Sequence, residues 1–255
     1  MTSPLQRRRA RLNRESVLVK QAIAKGITPA FSSTHSPQPQ SDWSLVRGTL
    51  AEDKRKLKNM KQHADKIAFK ARVMPHYRPY LDRTDAPNDF LAQMMVWLFD
   101  INDLAVAIPL AEMLIDLGAT MPEGFKSEIP DFVADMVFNW TVTQYKAGHS
   151  VEPYFSQIFK YVTEVWKPYE IVMVKYYKQA GLMVLGKHGV KVTHVADPEL
   201  LQKALALFEQ ADAIYTHANL GTNSGVGTRI TQIKKRLARL SEGLDPESNE
   251  SVLEA

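Results

Sequence analysis

Apolar positions recur at helical intervals along almost the whole chain. Leu12, Ser16, Val19 and Ile23 fall four, three and four residues apart, which predicts a helix from Leu5 to about Lys25 that stops at Gly26. A stretch holding Pro29, Pro37 and Pro39 among serines follows, the composition of a linker. Leu50, Leu57, Met60, Ala64, Ile67, Ala71 and Met74 then mark a heptad seam. Asp42 or Ser44 is placed to cap the start of this long helix, and Pro75 and Pro79 are expected to end it.

Beyond residue 83 the same periodicity predicts a series of shorter helices. Asp89–Asp100 is dense in Leu, Met, Trp and Phe, and Asn102–Leu117 stops at Gly118, with Pro109 inside it pointing to a kink or a later start. Pro130–Ala147 stops at Gly148, the segment from His149 to Trp166 keeps helical spacing, and Lys167–Leu185 tolerates Gly181. Asp197-Pro198 supplies an N-cap and first-turn pair for a helix through Leu207, Ile214 and Ala218. The short "GVKVTHV" (Gly189 to Val195) is the one candidate strand. The expected fold is all-α: antiparallel helical hairpins with an N-terminal basic, coiled-coil-like helix. Two runs, "DINDLAVAIPLAEMLIDLG" and "ADPELLQKALALFEQADAIY", have the close-packing alanines of tetratricopeptide-type hairpins without a strict repeat.

Charge divides the chain more sharply than hydropathy does. The net charge of +4 averages opposite segments. Residues 1–83 hold 18 Lys/Arg against 6 Asp/Glu, whereas residues 84–225 hold 9 against 17. Residues 226–240 add five cations and no anion, and residues 241–255 add five anions and no cation. The segments expected are therefore a basic arm with linker (1–42), a basic heptad-patterned helix (43–83), an acidic helical core (84–225), and a basic amphipathic helix with an acidic, disordered tail (226–255).

The absence of cysteine excludes disulfides, thiolate-bound zinc and thiol nucleophiles, and suits a reducing cytosol. The basic N-terminus lacks the apolar run of a secretory signal. The most apolar stretch, Phe90 to Phe99, is about half of what a membrane span needs. These features lead us to expect a soluble, cytosolic protein.

Motifs for catalysis are weak. "GLMVLGKH" (Gly181 to His188) has P-loop spacing, but a helix precedes it, its interior is Leu-Met-Val-Leu, and His188 stands where Ser or Thr would hold magnesium. It reads as a helix ending at Gly186. "GTNSGVGTR" (Gly221 to Arg229) reads as a connector between helices, although an anion at the following N-terminus fits too. The carboxylate pairs Asp100/Asp103, Glu112/Asp116 and Asp131/Asp135 have helical spacing, and acidic surface faces explain them as well as a magnesium site does. No catalytic residue, metal ligand or cofactor is assigned; Mg2+ enters only if the chain is a nuclease.

The cations carry a stronger signal. Arg7, Arg8, Arg9, Arg11 and Arg14 of the arm, with Lys54, Arg55, Lys58, Lys61, Lys66 and Lys70 of the basic helix, are the candidate contacts to a nucleic-acid backbone. The competing reading makes them the solvated outside of a coiled coil whose seam, Leu57, Met60, Ala64, Ile67 and Ala71, drives oligomerisation. "RITQIKKRLARL" (Arg229 to Leu240) is a second basic amphipathic helix.

Four blocks, "MTSP", "LKNMKQHADKIAFK", "WLFDINDLAVAIPLAEMLIDLGATMP" and "ALALFEQADAIYTHANLGTNSGVGTRITQIKKRLARL", resemble the small terminase subunit of temperate contractile-tailed phages, a family often labelled terminase endonuclease subunit. The resemblance implies a homo-oligomeric ring that binds a cos-type packaging site on concatemeric double-stranded phage DNA. It also implies hand-over to a large terminase subunit that carries ATPase and nuclease, in the host cytoplasm and not in the mature virion. The endonuclease label conflicts with the residues, which offer no clear nuclease site. Two other readings stay open: a metal-dependent endonuclease subunit, and a helical-repeat adaptor with no nucleic-acid role.

Overall fold

A computed structural model describes residues 41–243 except Thr222. The predicted Leu5–Lys25 helix, the linker up to residue 40 and the acidic tail lie outside these residues. Nine α-helices make up the described chain, with no strand among them, so the architecture is all-α. They are α1 (Ser41–Asn59), α2 (His63–Leu81), α3 (Asn88–Asp100), α4 (Leu104–Asp116), α5 (Ile129–Lys146), α6 (Tyr154–Lys160), α7 (Glu170–Leu185), α8 (Pro198–His217) and α9 (Gly227–Ser241). A π-helical turn, Tyr161–Val165, extends α6, and a single 3-10 turn, Val192–His194, occupies the segment expected to be a strand. Only Val192 and Val195 of that segment are buried, so it lacks the alternating apolar face that a strand would use.

The described residues form two compact units, divided between Ile129 and Pro130. In the first, α3 is the centre: all ten residues from Phe90 to Phe99 are buried, the signature of a helix enclosed on every side. α4 packs beside it through Leu104, Ala107, Ile108, Leu110, Ala111, Met113 and Leu114, where alanines permit close approach. α4 ends in a Schellman turn, with Gly118 at φ 63° and the Ala119 amide donating to the Leu114 carbonyl at 2.9 Å. Pro109 lies inside α4, which nevertheless starts at Leu104 rather than later.

The single long helix expected around the heptad seam is broken. The chain turns at Met60–Gln62, with Gln62 extended (φ −84°, ψ 135°), and resumes as α2. Burial explains the break. α1 turns Val46, Leu50, Asp53 and Leu57 inward, and α2 turns Phe69, Met74, Tyr77 and Leu81 inward. Leu50, Leu57 and Met74 of the seam stay inward, but Phe69, Tyr77 and Leu81, which lie off it, repay more per residue on leaving water than Met60, Ala64, Ile67 and Ala71. The stripe is therefore divided: Leu57 is buried, Met60 and Ile67 are half-buried, and Ala64 and Ala71 are exposed. Pro75 and Pro79 do not end the helix either; α2 runs through both to Leu81. Its tertiary face, Met74, Tyr77 and Leu81, outweighs the two lost backbone bonds. Trp43 meets Phe90 edge-on at 5.3 Å between centroids, and Tyr77 meets Trp97 likewise at 5.8 Å.

In the second unit Tyr176 of α7 is fully buried, stacks on Phe155 of α6 at 5.6 Å and donates its hydroxyl to the Ala134 carbonyl of α5 at 2.8 Å. α7 and α8 pack closely, and α9 closes a cluster formed by Leu185, Val192, Val195, Leu201, Ala204, Phe208, Val226 and Ile233. Asp197 caps α8 as the sequence predicts, accepting from the Glu199 and Leu200 amides at 2.8 and 3.3 Å, with Pro198 as first helical residue. Gly186 ends α7, the outcome the glycine spacing predicted.

Gly181 shows why a glycine is kept inside a helix. A Cβ there would lie 2.9 Å from the Phe208 ring, which is buried and cannot swing away. Gly181→Ala is expected to lower stability by about 1–2 kcal/mol, the overpacking cost exceeding the gain in helix propensity. Urea denaturation of the two proteins measures this difference.

Candidate nucleic-acid interface

Lys54 and Lys58 lie one turn apart on α1, flanking the buried Leu57, and Lys66 and Lys70 lie one turn apart on α2. Gln93 and Trp97, one turn apart on α3, complete the lining of a cleft of about 270 Å³ that these residues share. Four lysines thus line one depression in the first unit, with Leu57, Gln93 and Trp97 beside them.

The four are not electrostatically equivalent. Lys70 Nζ lies 2.5 Å from an Asp100 carboxylate oxygen, and both side chains are largely sheltered from solvent. Lys54, Lys58 and Lys66 have no carboxylate partner among the described residues. Nearby cations are engaged elsewhere: Arg55 pairs with Glu52, and Lys56 with Asp53 at 3.3 Å. The Arg55 hydrogen bond holds the Glu52 carboxyl below its ordinary range. Lys61 is exposed in the turn between α1 and α2. Arg7, Arg8, Arg9, Arg11 and Arg14 lie outside the described residues.

The rotation of α1 that aims Lys54 and Lys58 at the cleft is fixed by Asp53. It occupies an apolar row, is only 6% exposed, and accepts a hydrogen bond from the Tyr77 hydroxyl at 2.8 Å. At the start of the same helix Arg47 forks onto Asp89 at 3.0 and 3.1 Å, and Trp43 Nε1 donates to Asp85 at 2.9 Å. Sequence reasoning found the lysines but missed Gln93 and Trp97, and it weighed Asp100 as a metal ligand, not as the partner of Lys70. The signal available was Gln93, the one polar residue in the run from Phe90 to Phe99.

Three of the six carboxylates considered as metal ligands are paired with cations. Asp100 pairs with Lys70, Asp103 with Arg78, and Asp135 with Lys175 at 3.4 Å. Glu112, Asp116 and Asp131 also have partners. No group of three or more His, Asp or Glu side chains among the described residues is arranged to hold a metal ion. Within the connector Gly221–Arg229, Ser224 is held in place: Lys178 Nζ donates to its carbonyl at 2.9 Å, and its hydroxyl bonds to Asp212. No helix among the described residues is long and apolar enough to cross a membrane.

Fold and cleft together define an all-helical protein in which three lysines without a carboxylate partner among the described residues line one cleft. Residues 48–170, which include the whole cleft, match the family described as phage small terminase subunit. The chain is 35% identical over 219 residues to the "Probable terminase, endonuclease subunit" of Haemophilus phage HP1 (strain HP1c1), covering 82% of this chain and 75% of that protein. It is 28% identical over 157 residues to the "Terminase, endonuclease subunit" of Escherichia phage P2, covering 60% of this chain and 59% of that protein. No solved structure matches it. The chain belongs to the phage small terminase subunit family.

Two outcomes test the Asp53–Tyr77 anchor. Tyr77→Phe leaves Asp53 with only the 3.3 Å contact to Lys56 and is expected to cost about 1–3 kcal/mol in urea denaturation, with Asp53→Asn costing less because its amide oxygen still accepts the Tyr77 bond. Burial first, and the bond to Asp53 second, push the Tyr77 phenol above its ordinary value, and burial does the same to Tyr176. A raised pKa means this stabilisation is complete below about pH 10 and is lost as pH rises through the folded values. A base titration followed by phenolate absorbance and circular dichroism is expected to show both phenols ionising only as the helices melt.

Proposed function

We propose that this small terminase subunit binds the packaging, cos-type site of double-stranded phage DNA and recruits or regulates the large terminase subunit in the host cytoplasm. The observation that carries the reading is the cleft: Lys54, Lys58 and Lys66 line it with no carboxylate partner among the described residues. Like charges gathered on one face repel one another, and a phosphate backbone relieves that repulsion while releasing its counterions. Lys61 and the arginines of residues 7–14 extend the basic footprint along the sequence. Assembly into a homo-oligomeric ring, with Met60, Ala64, Ile67 and Ala71 toward the neighbouring copy, would repeat the cleft around a central axis. Family membership supports the packaging role, and names no particular DNA site.

A second reading is favoured by the names of both relatives, which are called endonuclease subunits. In that reading the chain cuts concatemeric DNA itself with Mg2+. Against it stand the carboxylates already paired with Lys70, Arg78 and Lys175.

Titration of the full chain onto packaging-site and scrambled duplexes at several salt concentrations tests the primary reading. Replacing Lys54, Lys58 and Lys66 together by Gln is expected to flatten the plot of log affinity against log salt. The slope falls by about 0.9 for each phosphate that is no longer neutralised, so by up to about 2.7. An affinity that ignores salt would overturn the proposal. Parallel incubations with Mg2+ and with EDTA test the second reading, which requires cleavage by this chain alone, abolished by the chelator.

A further inference from the structure

In the second unit, the way α9 is anchored leaves its remaining cations on one side. Ile230, Ile233, Leu237 and Leu240 seat it on the apolar cluster around Phe208. On one flank Lys234 Nζ reaches Glu209 of α8 at 2.7 Å. On the opposite flank the buried Arg236 donates through Nε to the Val195 carbonyl at 3.0 Å, which lays the 186–195 loop along that side. At about 100° of rotation per residue, Arg229 and Arg239 fall on the Arg236 flank, and Lys235 lies beside Arg239.

The loop brings Lys187, His188, Lys191 and His194, all exposed. Its start is pinned by Tyr145, whose hydroxyl donates to the Leu182 and Gly186 carbonyls at 3.1 and 2.9 Å and whose ring meets His188 at 5.6 Å. Lys187, Lys191, Arg229, Lys235 and Arg239 have no carboxylate partner among the described residues. Asp197, the next acid along the chain, is engaged in capping α8, and Glu242 stands exposed just past the end of α9.

We propose that this loop-and-helix surface is a second binding site for a nucleic-acid phosphate backbone, separate from the cleft of the first unit and outside the stretch matched to the family. It rests on the reading that this chain contacts duplex DNA. Spacing favours a repeating polyanion over a single small anion. Arg229 and Arg239 are ten residues apart on one helix, about 15 Å, the rise of about four base pairs along a duplex axis. The loop adds a second row of cations beside the first.

The test compares the salt dependence of duplex binding for four full-length proteins. One carries Lys187→Gln, Lys191→Gln, Lys235→Gln and Arg239→Gln. A second carries the three cleft substitutions, a third both sets, and a fourth Lys234→Gln alone. The surface variant is expected to lose about 0.9 of slope for each phosphate left unneutralised, between about 1.8 and 3.6 in all, with the combined variant losing the two amounts together and Lys234→Gln losing none. The substituted side chains are exposed, so thermal unfolding by circular dichroism should be unchanged, and replacing the same lysines by Arg should keep the slope. An unchanged slope for the surface variant alone, with the cleft variant reduced, overturns this inference and leaves the cleft reading intact; the surface would then serve another partner, such as an acidic protein. Unchanged slopes for both overturn both. A reduced slope for the surface variant alone supports the second site and overturns the cleft.

Discussion

The first unit is organised around one buried carboxylate. Asp53 sits in a row with Val46, Leu50 and Leu57, where a fourth apolar side chain would ordinarily be, and the Tyr77 hydroxyl compensates its burial. A buried acid without a partner is costly, so the bond admits one rotation of α1 relative to α2 where apolar contacts alone would admit several. Everything at the cleft follows from that rotation. With Asp53 inward, Lys54 and Lys58 stand on the rim, opposite Lys66 and Lys70. Tyr77 in turn packs its ring against Phe90 and Trp97 of the enclosed α3, which makes the bond part of the core and not a surface contact.

The second unit reaches a comparable result by other means. Tyr176 joins three helices through one ring and one hydroxyl, and the missing side chain at Gly181 lets α7 approach the Phe208 ring of α8. α9 is then fixed on both flanks by cations that find partners inside the unit, Lys234 at Glu209 and Arg236 at a backbone carbonyl. In both units some cations are committed to structure and others are left over. Lys70, Arg55 and Lys56 belong to the first group near the cleft. Lys70 is already neutralised by Asp100, so in the proposed DNA-binding reading the lysines without such a partner would carry the salt dependence.

Much of the fold was legible along the chain because local rules decided it. Asp197-Pro198 and the glycines at 118 and 186 mark helix ends through backbone chemistry that needs no distant partner. Apolar periodicity likewise placed the helices beyond residue 83 to within a few residues. The rule failed where two apolar stripes competed for one stretch. Met60, Ala64, Ile67, Ala71 and Met74 formed the more regular seam, but Phe69, Tyr77 and Leu81, off that seam, carried more surface to bury. For the same reason Pro75 and Pro79 were poor stop signals within α2.

The sequence by itself determined an all-helical chain, a sharp division of charge, and a concentration of lysines between residues 54 and 70. It also carried enough pattern to resemble the family to which the chain belongs. Only the tertiary structure decided which cations are spent inside the molecule, since Lys70 meets Asp100 thirty residues away and Arg236 meets Val195 across 41 residues. It alone brought Gln93 and Trp97 to the cleft and turned one predicted helix into two. The reason is physical: helix propensity and capping act over one turn, whereas charge pairing and burial depend on which surfaces meet after the chain has folded.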